Sequence, residues 1–451
     1  MKSPELLLPA GGLERMRAAF DYGADAVYAG SPRYSLRARN NEFAKLEVLE
    51  QGIREAHARN KKFFLTVNTL PHNSKLKTFM ADMEPLIAMQ PDALIMADPG
   101  LIMNVRERWP EVPIHLSVQA NTTNWWGVKF WQKIGVERII LSRELSIEEI
   151  AEIRQQCPDI ELEVFVHGAL CIAYSGRCLL SGYFNHRDPN QGTCTNACRW
   201  DYKVHDAATD EMGDAKLLQG FDFNRAQEEA NAAFEGINGQ VRHPAADKVL
   251  LIEEANLPGE MMPIMEDEHG TYIMNSKDLR AIEQVAKLAE IGVDSLKVEG
   301  RTKSVYYVAR VAQAYRKAID DAVAGKPFDL GLLAELEGLA NRGYTPGFLE
   351  RHQTQEYQNY LAGHSLAKQS QFVGQVTEID AEGWATIEVK NKFSVGDTLE
   401  IIHPSGNQTV QLAAMTRKGE AVDVAPGNGI EVKIPQMQGK EKALIARVMN
   451  P

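Results

Sequence analysis

Cysteine is scarce in this chain, with 5 among 451 residues. That excludes a disulfide-stapled secreted scaffold, which is small and cysteine-dense. No uncharged apolar run approaches the ~18 residues that mark a membrane-spanning helix. The opening segment "MKSPELLLPAGGLERMRAAF" has an apolar stretch too short and too interrupted for a signal peptide. The expectation is a cytoplasmic protein without a membrane partner. H-E-x-x-H and G-x-S-x-G are also missing, so zinc-protease and serine-hydrolase chemistry lack their usual carriers. Ser175 and Ser181 therefore read as loop residues rather than nucleophiles.

Positive charge is in deficit, 49 Lys and Arg against 61 Asp and Glu, for a net charge of -12. Phosphate affinity comes largely from Lys and Arg, so the total argues against a nucleic-acid partner. The deficit is local, however. Asp201 to Gly270 holds 16 acidic against 5 basic residues, nearly all of the excess. Elsewhere lie basic clusters, "RYSLRAR" at Arg33 to Arg39, "HARNKK" at His57 to Lys62 and "EGRTKS" at Glu299 to Ser304. Each is compatible with a solvated face, and together they permit a polyanionic substrate.

With 44% hydrophobic residues the chain has material for at least one large core. Through residue 325, short apolar runs alternate with helical patterns, the signature of parallel βα units. Eight strands are predicted: "ELLLPAG", "DAVYAG", "FFLTVN", "ALIMAD", "IHLSVQAN", "RIILSRE", "ELEVFVHG" and "DSLKVEG". The fold class is thus α/β, a TIM-type (β/α)8 barrel over residues 1–325. A long insertion, about 169–270, follows strand seven and precedes the helix predicted in "DLRAIEQVAKLAEIG". Such insertions grow from the C-terminal face, where barrel active sites lie. Residues 326–368 read as a helical or irregular connector, and 369–451 as a small all-β barrel of short strands and glycine turns.

Alternation along the strands directs one set of side chains into the lumen. Strand seven would send Glu161, Glu163, Phe165 and His167 inward, strand eight Ser295, Lys297 and Glu299, and strand five His115, Ser117, Gln119 and Asn121. This lumen is more polar than the branched apolar filling usual in such barrels. Confined charges must pair, so Glu163 or Glu299 is expected to meet Lys297, with His167 at the mouth. Asn68, Asp98, Arg143, Glu144, His167, Glu299 and Arg301 fall at predicted C-terminal strand ends. The arrangement reads either as a structural ion-pair network or as a site for a small, polar, anionic compound. In the second reading His167, Glu299 and Glu163 are the catalytic candidates. Asn68, Asp98, Gln119, Arg143, Glu144, Lys297 and Arg301 are then the substrate-binding ones. Lys277 and Asp278 either join the rim or begin the next helix.

Cys171, Cys178, Cys194 and Cys198 are spaced C-x6-C-x15-C-x3-C. In a reducing compartment such clustering favours metal ligation over disulfides. A [4Fe-4S] cluster tolerates this irregular spacing, whereas structural zinc prefers paired tight knuckles and only Cys194 to Cys198 has that form. A catalytic thiol, Cys171 near His167, would leave three cysteines unexplained. Cys157, at a helix end, reads as a lone structural cysteine.

The segment "EVFVHGALCIAYSGRCLLSGYFNHRDPNQGTCTNACRW" resembles the collagenase-like peptidase family, peptidase family U32. The resemblance runs from "PELLLPAG" through "ALIMADPG", "LSREL" and "LKVEGRTKS" into the terminal "FVGQV" and "VKNKFSVGDTLEII". It implies a tRNA-modifying enzyme that forms 5-hydroxyuridine at the wobble position without oxygen. It further implies a [4Fe-4S] cluster on Cys171, Cys178, Cys194 and Cys198, and prephenate as a required metabolite. The expected partners are the anticodon region of tRNA, a small dicarboxylate and an electron donor. Two alternatives stay open: a peptidase, as the family name suggests, or a non-catalytic iron-sulfur scaffold that passes electrons to another RNA-modification enzyme.

Overall fold

The computed structural model describes residues 1–35, 41–169, 278–301, 303–339, 341, 343–350 and 370–448. Within 170–277 it describes only the backbone of short strands. Seven parallel strands open the chain: β1 (Glu5–Pro9), β2 (Ala26–Gly30), β3 (Lys62–Val67), β4 (Ala93–Met96), β5 (Ile114–Leu116), β6 (Arg138–Ile140) and β7 (Glu161–Ala169). Ser295–Val298 pairs in parallel with both β7 and β1, closing an eight-stranded barrel. All eight are strands expected from the apolar runs.

Local chemistry explains the helices between them. Ser146 caps Ile147–Gln156 in a reciprocal capping box with Glu149. Ser304 caps Val305–Val323, whose Val308, Val311, Ala312, Tyr315 and Ile319 are fully buried at helical spacing against the barrel. Among the described residues no helix is long and apolar enough to cross a membrane.

Two departures from the expected pattern reshape the mouth. "DLR" does not start a helix: Asp278–Arg280 forms a strand antiparallel to the end of β7, with Asp278 opposite Ala169 and Arg280 opposite His167. Tyr344–Thr345 adds to its other side, so this piece of the expected connector joins the barrel sheet. A 3-10 turn over Ile282–Gln284 then leads into the α-helix Val285–Ile291. Asp278 is accordingly a buried strand residue rather than a helix cap. Strand five also stops at Leu116, and Val118–Ala120 makes a 3-10 turn that ends on Asn121 in the left-handed region.

In the insertion, Tyr202–Thr209, Ala215–Leu217, Val249–Glu254, Met261–Asp267 and Gly270–Ile273 form an antiparallel sheet. After residue 370 the chain forms an eight-stranded antiparallel sheet around its own apolar core. This unit is seated on the barrel. Ile402, Leu444 and Ala446 belong to the barrel's apolar core, Tyr22 donates its hydroxyl to the Ile402 carbonyl at 2.8 Å, and Arg310 makes a two-pronged contact with Glu400 at 2.9 and 3.2 Å.

Candidate active site at the barrel mouth

The lumen is built in polar layers. Glu163 on β7 is fully buried and accepts from Lys297 Nζ at 2.7 Å and from Arg138 at 3.1 Å. Arg138 also reaches Glu5 at 2.6 Å and Glu161 at 2.7 Å. The expected meeting of Lys297 with a lumen carboxylate is therefore made by Glu163. Burial lowers the pKa of Lys297 below its ordinary value, opposed by the Glu163 charge. His115 shares this layer, edge-on to Phe64 at 4.7 Å, and burial beside Arg138 and Lys297 pushes it well below the usual imidazole range. With both oxygens taken up by buried cations, Glu163 is a structural anchor that holds Lys297 in place.

Above this plug lie the side chains at the C-terminal ends of the strands. Arg143 Cζ lies over the Phe165 ring, 3.8 Å from its centroid, and the guanidinium is 3.7 Å from Glu299 Oε2. The Tyr28 hydroxyl contacts the Val298 carbonyl at 3.0 Å and Glu299 Oε2 at 3.4 Å, and its ring lies under the Lys297 ammonium at 4.3 Å. Arg301 donates to Ser35 Oγ at 2.8 Å and Thr66 Oγ1 at 3.3 Å. Asn68 donates to Ser117 Oγ at 3.4 Å, and the Ser142 hydroxyl donates to Glu144. Arg143, Glu144, Glu299, Arg301 and Asn68 thus lie at the C-terminal ends of the barrel strands, above the Lys297 ammonium.

His167 does not join them. Lys297 pairs with Phe165 and Val298 with His167, so Val166 is an extra residue in β7. One inserted residue reverses the side-chain parity beyond it. The imidazole therefore turns outward, among Tyr307, Tyr315 and Tyr344 at 5.5 to 5.8 Å, with Nδ1 3.3 Å from the Tyr315 hydroxyl. Burial, with Arg280 and Lys303 nearby, drops its pKa to about 3, so it is neutral at physiological pH. The expectation that His167 lines the lumen is corrected on this ground. Gly168 then needs a positive φ of 103°, and an added Cβ would lie 2.4 Å from the Glu299 carbonyl oxygen.

Gln119 and Asn121 were expected inward by alternation. Both lie instead on the turn after β5, where alternation no longer applies, with Asn121 donating to the Gln119 carbonyl at 3.2 Å. Asp98 caps the Pro99–Arg108 helix by accepting from the Leu101 amide. Cys171, Cys194, Cys198 and Lys277 lie outside the described residues, and Cys178 is described only as backbone, paired with Ala173. Cys157 is buried and free. Among the described residues no three His, Cys, Asp or Glu side chains form a metal-holding group.

Four further residues that support the lumen or its mouth are not among the candidates named from the sequence. Tyr28 and Thr66 alternate inward on β2 and β3, and Arg138 opens β6 on the lumen side, so the same period of two contains them. Ser35 follows β2 in a loop and carries no such signal.

Family models match this chain over almost its full length, peptidase family U32 over residues 11–359 and the peptidase family U32 C-terminal domain over 368–447. The chain belongs to peptidase family U32. Within that family it is 60% identical to tRNA hydroxylation protein P of Escherichia coli (strain K12), covering 98% of this chain and 95% of the relative. It is 36% identical to tRNA hydroxylation protein P1 of Bacillus subtilis (strain 168), over 89% and 84% of the two chains. A third family relative, the 23S rRNA 5-hydroxycytidine C2501 synthase of Escherichia coli (strain K12), is 29% identical, over 70% of this chain and 39% of that protein.

Proposed function

We propose that this chain is a tRNA-modifying enzyme that hydroxylates uridine C5 at the wobble position, without oxygen, using prephenate and a [4Fe-4S] cluster in the cytoplasm. The observation that carries the reading is identity of 60% across 98% of the chain with a tRNA hydroxylation protein. The chemistry of the mouth supports it. Prephenate is a dicarboxylate, and Arg143 and Arg301 present two guanidiniums with the Lys297 ammonium below them. Guanidinium is the preferred partner of carboxylates because its fork matches their two oxygens. Glu299, touched by Tyr28 and close to Arg143, is the group positioned to take or return a proton.

The donor set fits the cluster. Four thiols follow β7 within Cys171 to Cys198, and thiolates are iron-sulfur ligands. Their segment leaves the strand at its C-terminal end, the end that bears Glu299 and Arg143. When bound, such a cluster supplies one-electron redox capacity. Replacing C5–H by C5–OH with the oxygen atom of water releases two electrons and two protons, so an electron acceptor belongs to the proposal as a partner.

The test uses a strain lacking its own copy of this gene, complemented with the wild-type chain, Arg301→Ala or Cys194→Ala, with tRNA nucleosides quantified by mass spectrometry. Wild type should restore 5-hydroxyuridine and both variants should fail. Anaerobically purified wild type should carry iron and sulfide that Cys194→Ala lacks. Restored modification by Cys194→Ala, or wild-type protein free of iron, would sink the cluster assignment.

A further inference from the structure

We infer that Trp126, backed by Trp125 and Lys129, is a stacking platform for an unpaired nucleotide of the RNA substrate. The inference rests on the proposal that tRNA is the substrate, and names where the chain grips it. Trp126 and Phe130 are 69% and 54% exposed, and they are the only aromatic side chains among the exposed large hydrophobics of the described residues. They lie one turn apart on the helix Trp125–Lys133. Packing does not require them there. The helix turns Val128 fully into the core, with Trp125 and Trp131 partly buried against it.

The arrangement matches what a nucleobase needs. The Trp125 and Trp126 rings stack at 4.3 Å with 29° between their planes, and Lys129 Nζ lies 4.6 Å from the Trp125 centroid and 5.9 Å from that of Trp126. An exposed ring beside an ammonium offers a base its face and the adjoining phosphate a counter-charge. In a chain of net charge -12, no Asp or Glu occurs from Pro113 to Val136, while Lys129 and Lys133 do. The charge of this segment is thus complementary to RNA.

Position connects the platform to the site. The helix starts directly after the turn bearing Ser117, Gln119 and Asn121, at the C-terminal end of β5. The loop is tied to the mouth by the Ser142 amide, which donates to the Thr122 carbonyl at 3.2 Å. Asn121 and Trp126 are five residues apart, a reach of at most about 18 Å. A base stacked on Trp126 would therefore be a near neighbour, along the RNA strand, of one entering the barrel.

The experiment measures binding of a fluorescently labelled anticodon stem-loop RNA, with uridine at the first anticodon position, to the full-length chain by anisotropy. Trp126→Ala should weaken binding about 10- to 100-fold. Trp126→Tyr, which keeps a ring, should stay within about threefold of wild type, and Lys129→Gln should flatten the salt dependence. Leu330→Ala, at an exposed position elsewhere, is the control. If wild type does not bind the stem-loop, the substrate reading fails and the platform with it. If wild type binds and Trp126→Ala binds equally well, the platform alone is refuted. A change of oligomeric state in Trp126→Ala with RNA affinity intact would assign the face to a second copy of this chain and overturn the inference.

Discussion

Replacing Glu163 with glutamine removes one negative charge from a position with no solvent exposure, where it faces Lys297 at 2.7 Å and Arg138 at 3.1 Å. Arg138 keeps Glu5 and Glu161, but Lys297 loses its only close carboxylate among the described contacts. Breaking a buried pair in this way typically costs roughly 3–5 kcal/mol. At ~2 °C per kcal/mol for a domain this large, the melting temperature should fall by about 6–10 °C. The pH dependence gives a second readout. In the wild type the Lys297 pKa is already lowered, and without Glu163 only the Glu299 charge still opposes burial, so it falls further. A lysine whose folded pKa lies below its unfolded value makes stability rise with pH between the two values. The deficit of Glu163→Gln should therefore shrink as pH is raised from 7 toward 10. Calorimetric melting at several pH values provides the measurement. A second variant, Glu163→Leu with Lys297→Met, should recover much of the loss by removing both charges. A deficit below ~1 kcal/mol with no pH dependence would refute the description of this layer as a buried, charge-paired plug.

His167 should show no imidazole titration between pH 5 and 8 by NMR, because its pKa is about 3, and a midpoint within that window would contradict the outward, buried placement. Gly168→Ala should disrupt the mouth through its positive φ and the 2.4 Å approach to the Glu299 carbonyl, read as loss of modification activity together with a lowered melting temperature. Glu55, held down to about pKa 2 chiefly by its hydrogen bond to Arg17, contributes stability that is present above its unfolded value and lost as pH falls from about 4.5 through 2. The pair is partly exposed, so Glu55→Gln should cost less than ~1 kcal/mol at pH 7 by chemical denaturation.

Signals local to one strand were legible in the sequence. Each of the eight barrel strands is a short apolar run, and a period of two was enough to place Glu163, Lys297 and Glu299 in one lumen. That period failed where the chain departs from regular geometry. The Val166 bulge is invisible because valine suits either face of a strand, yet it alone decides where His167 points. "DLRAIEQ" has helical composition, and its first residues become a strand because β7 presents an unpaired edge there. Gln119 and Asn121 were misplaced because strand five ends earlier than its apolar pattern suggests. Arg301 was found as a charge at a strand end, whereas Ser35, which holds it, sits in a loop with no periodic signal.

The pairing of Ala169 with Asp278 has a consequence for how the insertion could have arisen. The excursion over residues 170–277 leaves and re-enters the barrel at two hydrogen-bonded neighbours, so the scaffold meets it as though it were a tight hairpin. Loop-closure entropy grows only logarithmically with length, and here the stem is already zipped. Segments of very different size could be exchanged at that junction without moving a barrel strand. The cysteine-bearing excursion is thus joined to the barrel as a cassette, whose length the junction does not fix.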